Sequence, residues 1–386
     1  VFMGMSGGVD SSVSAYLLRE AGFNVIGVFI KTWQPEGFAC TWKDDRRDAM
    51  RVCAALGIPF QTLDLEQEYK QHVADYMIRE YAAGRTPNPD IMCNKHVKFG
   101  GFFEYAMQNG ADFVATGHYA QTRDDTAASG QAGESATDLV LSADEGKDQT
   151  YFLWAIPGKI LPRAIFPVGS LTKDEVRAIA EYAKLPVFDK KDSQGVCFIG
   201  KLDMKDFLKD QIHPAKGDVR DLKGNIIGSH DGAILYTIGE RHGFSIHNQT
   251  TDAEPHFIIK KDIEENVIYV GSHKDLVTSD KSTSIRLGEI NFLSGNARFA
   301  KLGASEFASN GNAAKEIRLG KAQLNLFASR SKGIRSADHL TGRLMSRQIL
   351  SKASTEIRSA GTPSKNLFAS SLPAANFTER SYPHGR

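Results

Sequence analysis

Apolar residues at the front of the chain fall in short unbroken runs, and the stretches between them place apolar side chains three and four apart. Residues 1–5 read as a buried strand, 25–30 as a second apolar strand, and 60–65 and 113–116 as further strands. Residues 11–20 (closed by Gly22), 44–56 (ended by Gly57 and Pro59), 66–83 (stopped by Gly84) and 95–107 read as helices. Strands alternating with helices of this length build βαβ units, so the fold class is α/β with a doubly wound parallel sheet. Ligands of such sheets bind beyond the carboxyl ends of the strands. The segments after residues 5 and 116 both fall at such ends.

The pattern then changes twice. Residues 123–138, rich in Ala, Gly, Ser and Thr, predict a surface loop or flexible insert. Thr172-Lys173-Asp174-Glu175 is a capping box that opens a helix reaching Lys184, and residues 201–208 predict one more helix. After about residue 212 short runs at 226–227, 233–238, 257–259 and 267–270 alternate with Gly turns, the pattern of a small β-rich domain. From residue 300 strand runs become sparse, Leu-Phe-Ala-Ser occurs at both 326–329 and 367–370, and residues 359–386 read as disordered. The expected division is 1–211, a nucleotide-binding catalytic domain; 212–299, a β-rich domain; and 300–386, an atypical basic segment.

Composition adds bounds. The 386 residues are long enough for two or three domains, and 41% apolar content suffices for their cores. No run of about 18 apolar residues predicts a membrane span, and no basic-then-apolar leader precedes the first strand. A cytoplasmic protein is expected. The chain opens inside a strand, so further residues ahead of Val1 are also expected. The net charge of +1 hides an asymmetry: residues 300–386 hold 14 Lys+Arg against 5 Asp+Glu, which leaves −8 for the rest. A negative body does not attract nucleic acid by its overall field, so any RNA site there is a local patch. Cys40, Cys53, Cys93 and Cys197 form no C-x-x-C pair, which argues against structural zinc. Cys53, within a helical stretch, reads as a buried small hydrophobe.

The chemistry begins with Gly4-Met5-Ser6-Gly7-Gly8-Val9-Asp10-Ser11-Ser12. A strand feeding a Gly-Ser loop feeding a helix N-terminus makes an anion site, because the first helical N–H groups lack partners and the macrodipole adds positive charge. Asp10 beside phosphates requires a cation between them and reads as a Mg²⁺ holder. No Gly-x-x-x-x-Gly-Lys-Ser/Thr is present, so γ-phosphate cleavage is not indicated. The loop resembles that of the ATP pyrophosphatases, which activate a substrate as an adenylate. Further along, two prolines in Asn88-Pro89-Asp90-Ile91-Met92-Cys93 stiffen the backbone ahead of a helix. They present Cys93 either as an activated thiol at a helix start or as a buried residue beside a proline turn. Cys197 follows Lys190 and Lys191 in a polar loop, a second setting that favours thiolate. Lys147-Asp148-Gln149 precedes Tyr151 and Phe152, a combination that suits either an unstacked base or a solvated turn. His118 reads either as a ligand-contacting residue or as a hydrogen-bonded residue at a helix start.

Together with Ala115-Thr116-Gly117-His118-Tyr119, residues 192–200, Gly228-Ser229-His230-Asp231-Gly232 and Tyr236-Thr237-Ile238-Gly239-Glu240-Arg241, these motifs resemble the tRNA-specific 2-thiouridylases from residue 1 to about 290. The resemblance implies an ATP pyrophosphatase-type domain that thiolates C2 of the wobble uridine in tRNAs for Lys, Glu and Gln. It implies ATP contacts from Gly4, Met5, Ser6, Gly7, Gly8, Val9, Asp10, Ser11, Ile30 and Gly117, with Mg²⁺ at Asp10. It implies target-base contacts from Asn88, Pro89 and Asp90, and tRNA contacts from His118, Lys147, Asp148 and Gln149. Cys93 and Cys197, with Asp90, would carry the catalysis, Cys197 as persulfide carrier and the two thiols ending as a disulfide. Sulfur would come from a cysteine desulfurase or a sulfur-relay protein. Two departures stand out: Glu240 replaces the family's usual Gln, and the Arg-Tyr-Arg and Pro-Gly-Gln segments of the family's terminal β-barrel are absent. The rival readings are an amide-forming ligase of the same ATP pyrophosphatase group and an inactive RNA-binding remnant.

Overall fold

The computed structural model describes residues 1–35, 42–125, 136–191, 204–247 and 254–275, together with the backbone of 284–287 and 317–320. Cys40, Cys197, the rest of residues 192–203, and residues 321–386 lie outside the described residues.

Five parallel strands form the first sheet in the order β3-β2-β1-β4-β7. They are β1 (Phe2–Gly4), β2 (Ile26–Lys31), β3 (Phe60–Asp64), β4 (Val114–Ala115) and β7 (Ala164–Ile165). Residue Phe2 of β1 lies opposite Ile26 on one side and Val114 on the other. Because side chains alternate along a strand, successive residues of β1 and β2 feed two separate cores. Met3 and Phe29 pack with α1 (Val9–Glu20), α2 (Trp42–Leu56) and α7 (Lys173–Tyr182) on one face. Phe2, Val28 and Ile30 pack on the other face. There they meet α3 (Glu66–Tyr69), the π-helical segment Cys93–Gly101 and α6 (Phe102–Gln108). Burial on both faces explains why these strands are continuous apolar runs. The expected α/β class and doubly wound sheet are observed.

The chain runs from β1 outward through β2 and β3, then returns to β4 on the opposite side of β1. This reversal is the topological switch point, where a crevice opens beyond the strand ends. The loops leaving β1 and β4 meet there. A Cβ on Gly117 would stand 2.8 Å from the Ser11 amide nitrogen and 3.0 Å from the Asp10 carbonyl carbon. Only a residue without a side chain admits this backbone approach.

Four expectations need correction. Residues 123–138 are not simply loop: β5 (Gln121–Asp125) and β6 (Ala136–Val140) pair antiparallel, Gln121 opposite Val140 and Asp125 opposite Ala136. Alternating polar residues such as Thr122 and Arg123 can form an exposed ladder without an apolar signal. The helix expected at 95–107 begins earlier, with α5 (Pro89–Met92), and continues through the π-helical segment. The expected helix at 66–83 is likewise divided by a π-helical turn, Lys70–Ala74, before α4 (Asp75–Ala82). Finally, residues 233–238 are not a strand. Gly232 at φ +131° turns the chain into a short 3-10 turn, Ala233–Leu235.

The β-rich unit is a five-stranded sheet ordered β10-β9-β8-β12-β11. Its strands are β8 (Gly217–Arg220), β9 (Ile226–His230), β10 (Phe244–Ile246), β11 (Phe257–Asp262) and β12 (Val267–Gly271). β12 runs parallel to β8 and the other pairs are antiparallel. Phe207 and Leu208 of α8 (Met204–Ile212) pack into its core, as does Met77 of α4. Two further strands, β13 (Ser284–Leu287) and β14 (Ile317–Gly320), pair antiparallel.

Gly117→Ala forces the two switch-point loops apart and is expected to destabilise the fold by about 1–3 kcal/mol. A urea melt measures this; an unchanged midpoint would mean that the loops separate at no cost.

Candidate nucleotide and thiol site

Ser6, Gly7 and Gly8 link β1 to α1. Gly7 adopts φ +75°, and a Cβ there would collide with the Asp45 carbonyl oxygen at the start of α2. The serines organise the turn. The Ser6 amide donates to Ser11 Oγ (3.2 Å), the Gly8 amide to Ser6 Oγ (3.3 Å), and the Ser11 and Ser12 hydroxyls lie on the Gly8 carbonyl (3.1 and 2.7 Å). No side chain caps α1. Its first-turn N–H groups therefore face the crevice as anion donors. Gly4 ends β1, Met5 and Val9 are buried in the core beneath the loop, and Ile30 is buried near the carboxyl end of β2. The structure thus gathers Gly4, Met5, Ser6, Gly7, Gly8, Val9, Asp10, Ser11 and Gly117 at one sheet end. The exposed donors and the absent cap fit a polyphosphate such as that of ATP.

Asp10 is held in a way the sequence reading missed. Its Oδ1 accepts from Lys173 Nζ (2.7 Å) and from the Tyr119 hydroxyl (2.9 Å). Lys173 is the first residue of α7, where a cation opposes the helix dipole. A lysine in that unfavourable place, between the Thr172 and Glu175 of the capping box, was the available signal. Its burial and its bond to Asp10 put positive charge at the crevice. Lys190 does the same from the far side, donating to the Gly7 carbonyl (3.0 Å), Asp45 Oδ1 (2.8 Å) and Asp48 Oδ2 (2.8 Å). Burial pushes the Lys190 pKa down, but the two carboxylates outweigh it and leave it raised. The Lys173 and Tyr119 bonds to Asp10 both use Oδ1, and a divalent ion held by one carboxylate and substrate phosphates would fit at its Oδ2. Among the described residues no three His, Cys, Asp or Glu side chains cluster as a complete metal site.

The proline loop delivers the second cluster. Asn88 caps α5, its Oδ1 accepting from the Asp90 amide (3.1 Å) and the Ile91 amide (3.3 Å), and Pro89 occupies the first helical position. Cys93 follows in the second turn, not at the helix start. It is fully buried in the apolar cluster with Tyr69, Val97 and Phe102. Cys53 is buried beside Gly27, and burial lifts its pKa to about 11, as befits an inert core thiol.

The residues expected to touch tRNA are placed differently from one another. Lys147 is exposed. Asp148 serves its own turn, accepting from the Ser142 amide (2.7 Å) and the Thr150 hydroxyl (2.6 Å). Gln149 Oε1 accepts from the Tyr119 amide (3.0 Å), and its own amide donates to the Tyr119 carbonyl (2.8 Å). His118 is corrected from a surface contact to a buried anchor. Its Nδ1 lies 2.8 Å from Thr116 Oγ1 and its Nε2 3.3 Å from Lys98 Nζ, between Phe99 and Phe166. An ammonium can only donate, which makes Nε2 the acceptor and Nδ1 the protonated nitrogen.

Burial first, then Lys98, pushes His118 well below the usual histidine range. His96 falls to about 4, through burial and then the stacked His72 and Lys95. For groups depressed in this sense the unfolded chain takes up protons first. Stability is therefore complete above about pH 6.5 and is lost as pH falls below it. Urea melts between pH 7 and 5 are expected to show a falling midpoint, with a shallower slope in His118→Asn. Equal slopes would mean that His118 is not held neutral.

A model of the tRNA methyl transferase HUP domain matches residues 1–201, and a model of the tRNA methyl transferase PRC-barrel domain matches residues 205–272. The tRNA-specific 2-thiouridylase MnmA of Staphylococcus carnosus is 46% identical over 284 residues, covering 72% of this chain and 74% of its own. That of Halalkalibacterium halodurans is 48% identical over 273 residues (70% and 71%), and that of Bacillus subtilis 44% over 291 residues (74% and 76%). On the strength of these matches, which cover more than two thirds of both chains, the chain belongs to the tRNA-specific 2-thiouridylase family.

Proposed function

We propose that this chain is a tRNA-uridine 2-sulfurtransferase acting on C2 of the wobble uridine in tRNAs for Lys, Glu and Gln. Membership of the 2-thiouridylase family supports this reading. The uncapped α1 N-terminus, flanked by Lys173 and Lys190, carries it. The C2 oxygen of uracil is a poor leaving group, and ATP bound here would supply the adenylyl group that makes it a good one. With ATP bound, the Ser6–Gly8 turn and the first N–H groups of α1 would hold phosphates and Asp10 would hold Mg²⁺ against them, while Lys173 and Lys190 offset the carboxylates of Asp10, Asp45 and Asp48 that would otherwise repel the nucleotide. Asn88, Pro89 and Asp90 meet the extruded base, and Lys147 meets the tRNA backbone.

Cys197 carries the sulfur as a persulfide received from a cysteine desulfurase or relay protein. Its terminal sulfur bonds to C2 as AMP departs. The Cys93 thiolate then attacks the Cys197 sulfur, cleaves the S–S bond and leaves the transferred sulfur on C2. The resulting Cys93–Cys197 disulfide is reset by a thiol reductant, and its formation requires Cα atoms within about 7 Å. The division at 211/212 and 299/300 belongs to this proposal, with α8 packed on the β-rich side. So does a cytoplasmic location; no helix among the described residues is long and apolar enough to cross a membrane.

Protein incubated with unmodified tRNA, Mg-ATP, cysteine, a cysteine desulfurase and a thiol reductant is expected to yield 2-thiouridine by mass spectrometry; its absence under these conditions overturns the assignment. Cys197→Ser and Cys93→Ser are each expected to abolish persulfide-dependent thiolation while retaining ATP binding. Turnover by either would remove that cysteine from the mechanism. Lys173→Met is expected to slow tRNA-dependent pyrophosphate release by about 10²–10³-fold. A rate within twofold of the parent would assign Lys173 to packing alone.

A further inference from the structure

The loop that carries Asn88, Pro89 and Asp90 is tied at two points to the β-rich sheet. Thr86 Oγ1 lies 3.0 Å from Thr237 Oγ1, a contact across 151 residues of sequence. Two residues earlier, Gly84 turns at φ +73° beneath Ile263, in the connection between β11 and β12. A Cβ on Gly84 would stand 2.5 Å from Ile263 Cγ1. These contacts are independent: one is polar and from the β9–β10 connection, the other apolar and from a different hairpin.

Both ends of the linkage are stiff. Thr237 is fixed by Glu240, whose Oε2 accepts from the Thr237 amide (3.1 Å) and whose own amide donates to the Thr237 carbonyl (3.1 Å). Glu240 is itself paired with Lys205, and the turn is pinned to β11 by Gly239 N to Ile258 O (2.8 Å) and Ile258 N to Glu240 O (2.9 Å). Lys261 Nζ donates to the Tyr236 carbonyl (2.7 Å). On the loop side, Arg85 forks onto Glu80 (2.5 and 2.8 Å), Pro87 and Pro89 fix their φ angles, and Asn88 caps α5. A shift at Thr86 has few soft torsions to absorb it before Asn88.

We propose that the β-rich domain sets the position of the target-base loop, with Thr237 and Ile263 as positioning residues for thiolation. This deepens the 2-thiouridylase reading and rests on it. The β-rich sheet acts as a template against which the Gly84–Asp90 segment is held, so that base contacts and the Cys93 helix keep one geometry. Glu240, where the family usually has Gln, enters this arrangement through the Lys205 ion pair.

The test uses the full chain with Thr237→Val, Thr86→Val, the double variant, Thr237→Ser and Ile263→Ala. Thr237→Val and Ile263→Ala are each expected to speed hydrogen exchange at the Asp90 and Ile91 amides, which Asn88 holds. They are also expected to lower kcat for 2-thiouridine formation about three- to tenfold, with the tRNA KM within twofold. Because the two valine variants break one bond, their combination is expected to be no worse than either alone. Thr237→Ser is expected to restore both readouts. Unchanged exchange at Asp90 and Ile91 in Thr237→Val overturns the proposal, and this variant decides the matter if Ile263→Ala fails to fold. Faster exchange with unchanged kcat reduces the contacts to a structural strut and also overturns it. If the parent protein forms no 2-thiouridine, the functional reading fails, while exchange still reports whether the two domains are coupled.

Discussion

The nucleotide end of the molecule depends on how closely two backbones approach at the switch point of the sheet. The loop after β4 lies against the first turn of α1, at a separation that Gly117 alone permits. That contact fixes the mouth of the crevice. It also brings Tyr119, two residues on, to Asp10, and through Asp10 it brings Lys173. A helix N-terminus by itself is a weak anion site. Here its field is joined by two buried or half-buried lysines, and the carboxylate that would repel phosphate is already neutralised by one of them.

Much of this was legible because each feature has a local cause. Strands buried on both faces must be apolar throughout, so β1 and β2 stood out. A helix that starts in a Ser-Gly-Gly turn advertises itself by composition. Asn88-Pro89 spelled out a cap and a first helical position. Thr172 and Glu175 wrote a complete capping box, which the structure contains. The motifs carrying the family resemblance lie in these same places, and the matched relatives span the same stretch of chain.

What stayed hidden depends on distance in sequence or on context. The Asp10–Lys173 pair joins residues that no local pattern connects. The hairpin of β5 and β6 lacks an apolar stripe because its faces are largely polar. The π-helical segment Cys93–Gly101 follows the same apolar spacing as an α-helix over a few residues, and periodicity does not separate the two. His118 was ambiguous by composition. Its neighbours Lys98 and Phe99 on one side and Phe166 on the other come from two distant parts of the chain, and together they decide that the ring is an internal brace.

The central place of β1 has a consequence for biosynthesis. β1 is flanked by β2 on one side and β4 on the other, and the lysine that neutralises Asp10 after it arrives 163 residues later. At ribosomal speeds of about 5–20 residues per second, that interval is roughly 8 to 30 s. Throughout it Asp10 lacks the lysine that pairs with it, although both strand neighbours of β1 are made before that lysine. The crevice is thus completed late on the ribosome, and nucleotide capture doubles as a report that the first sheet has closed.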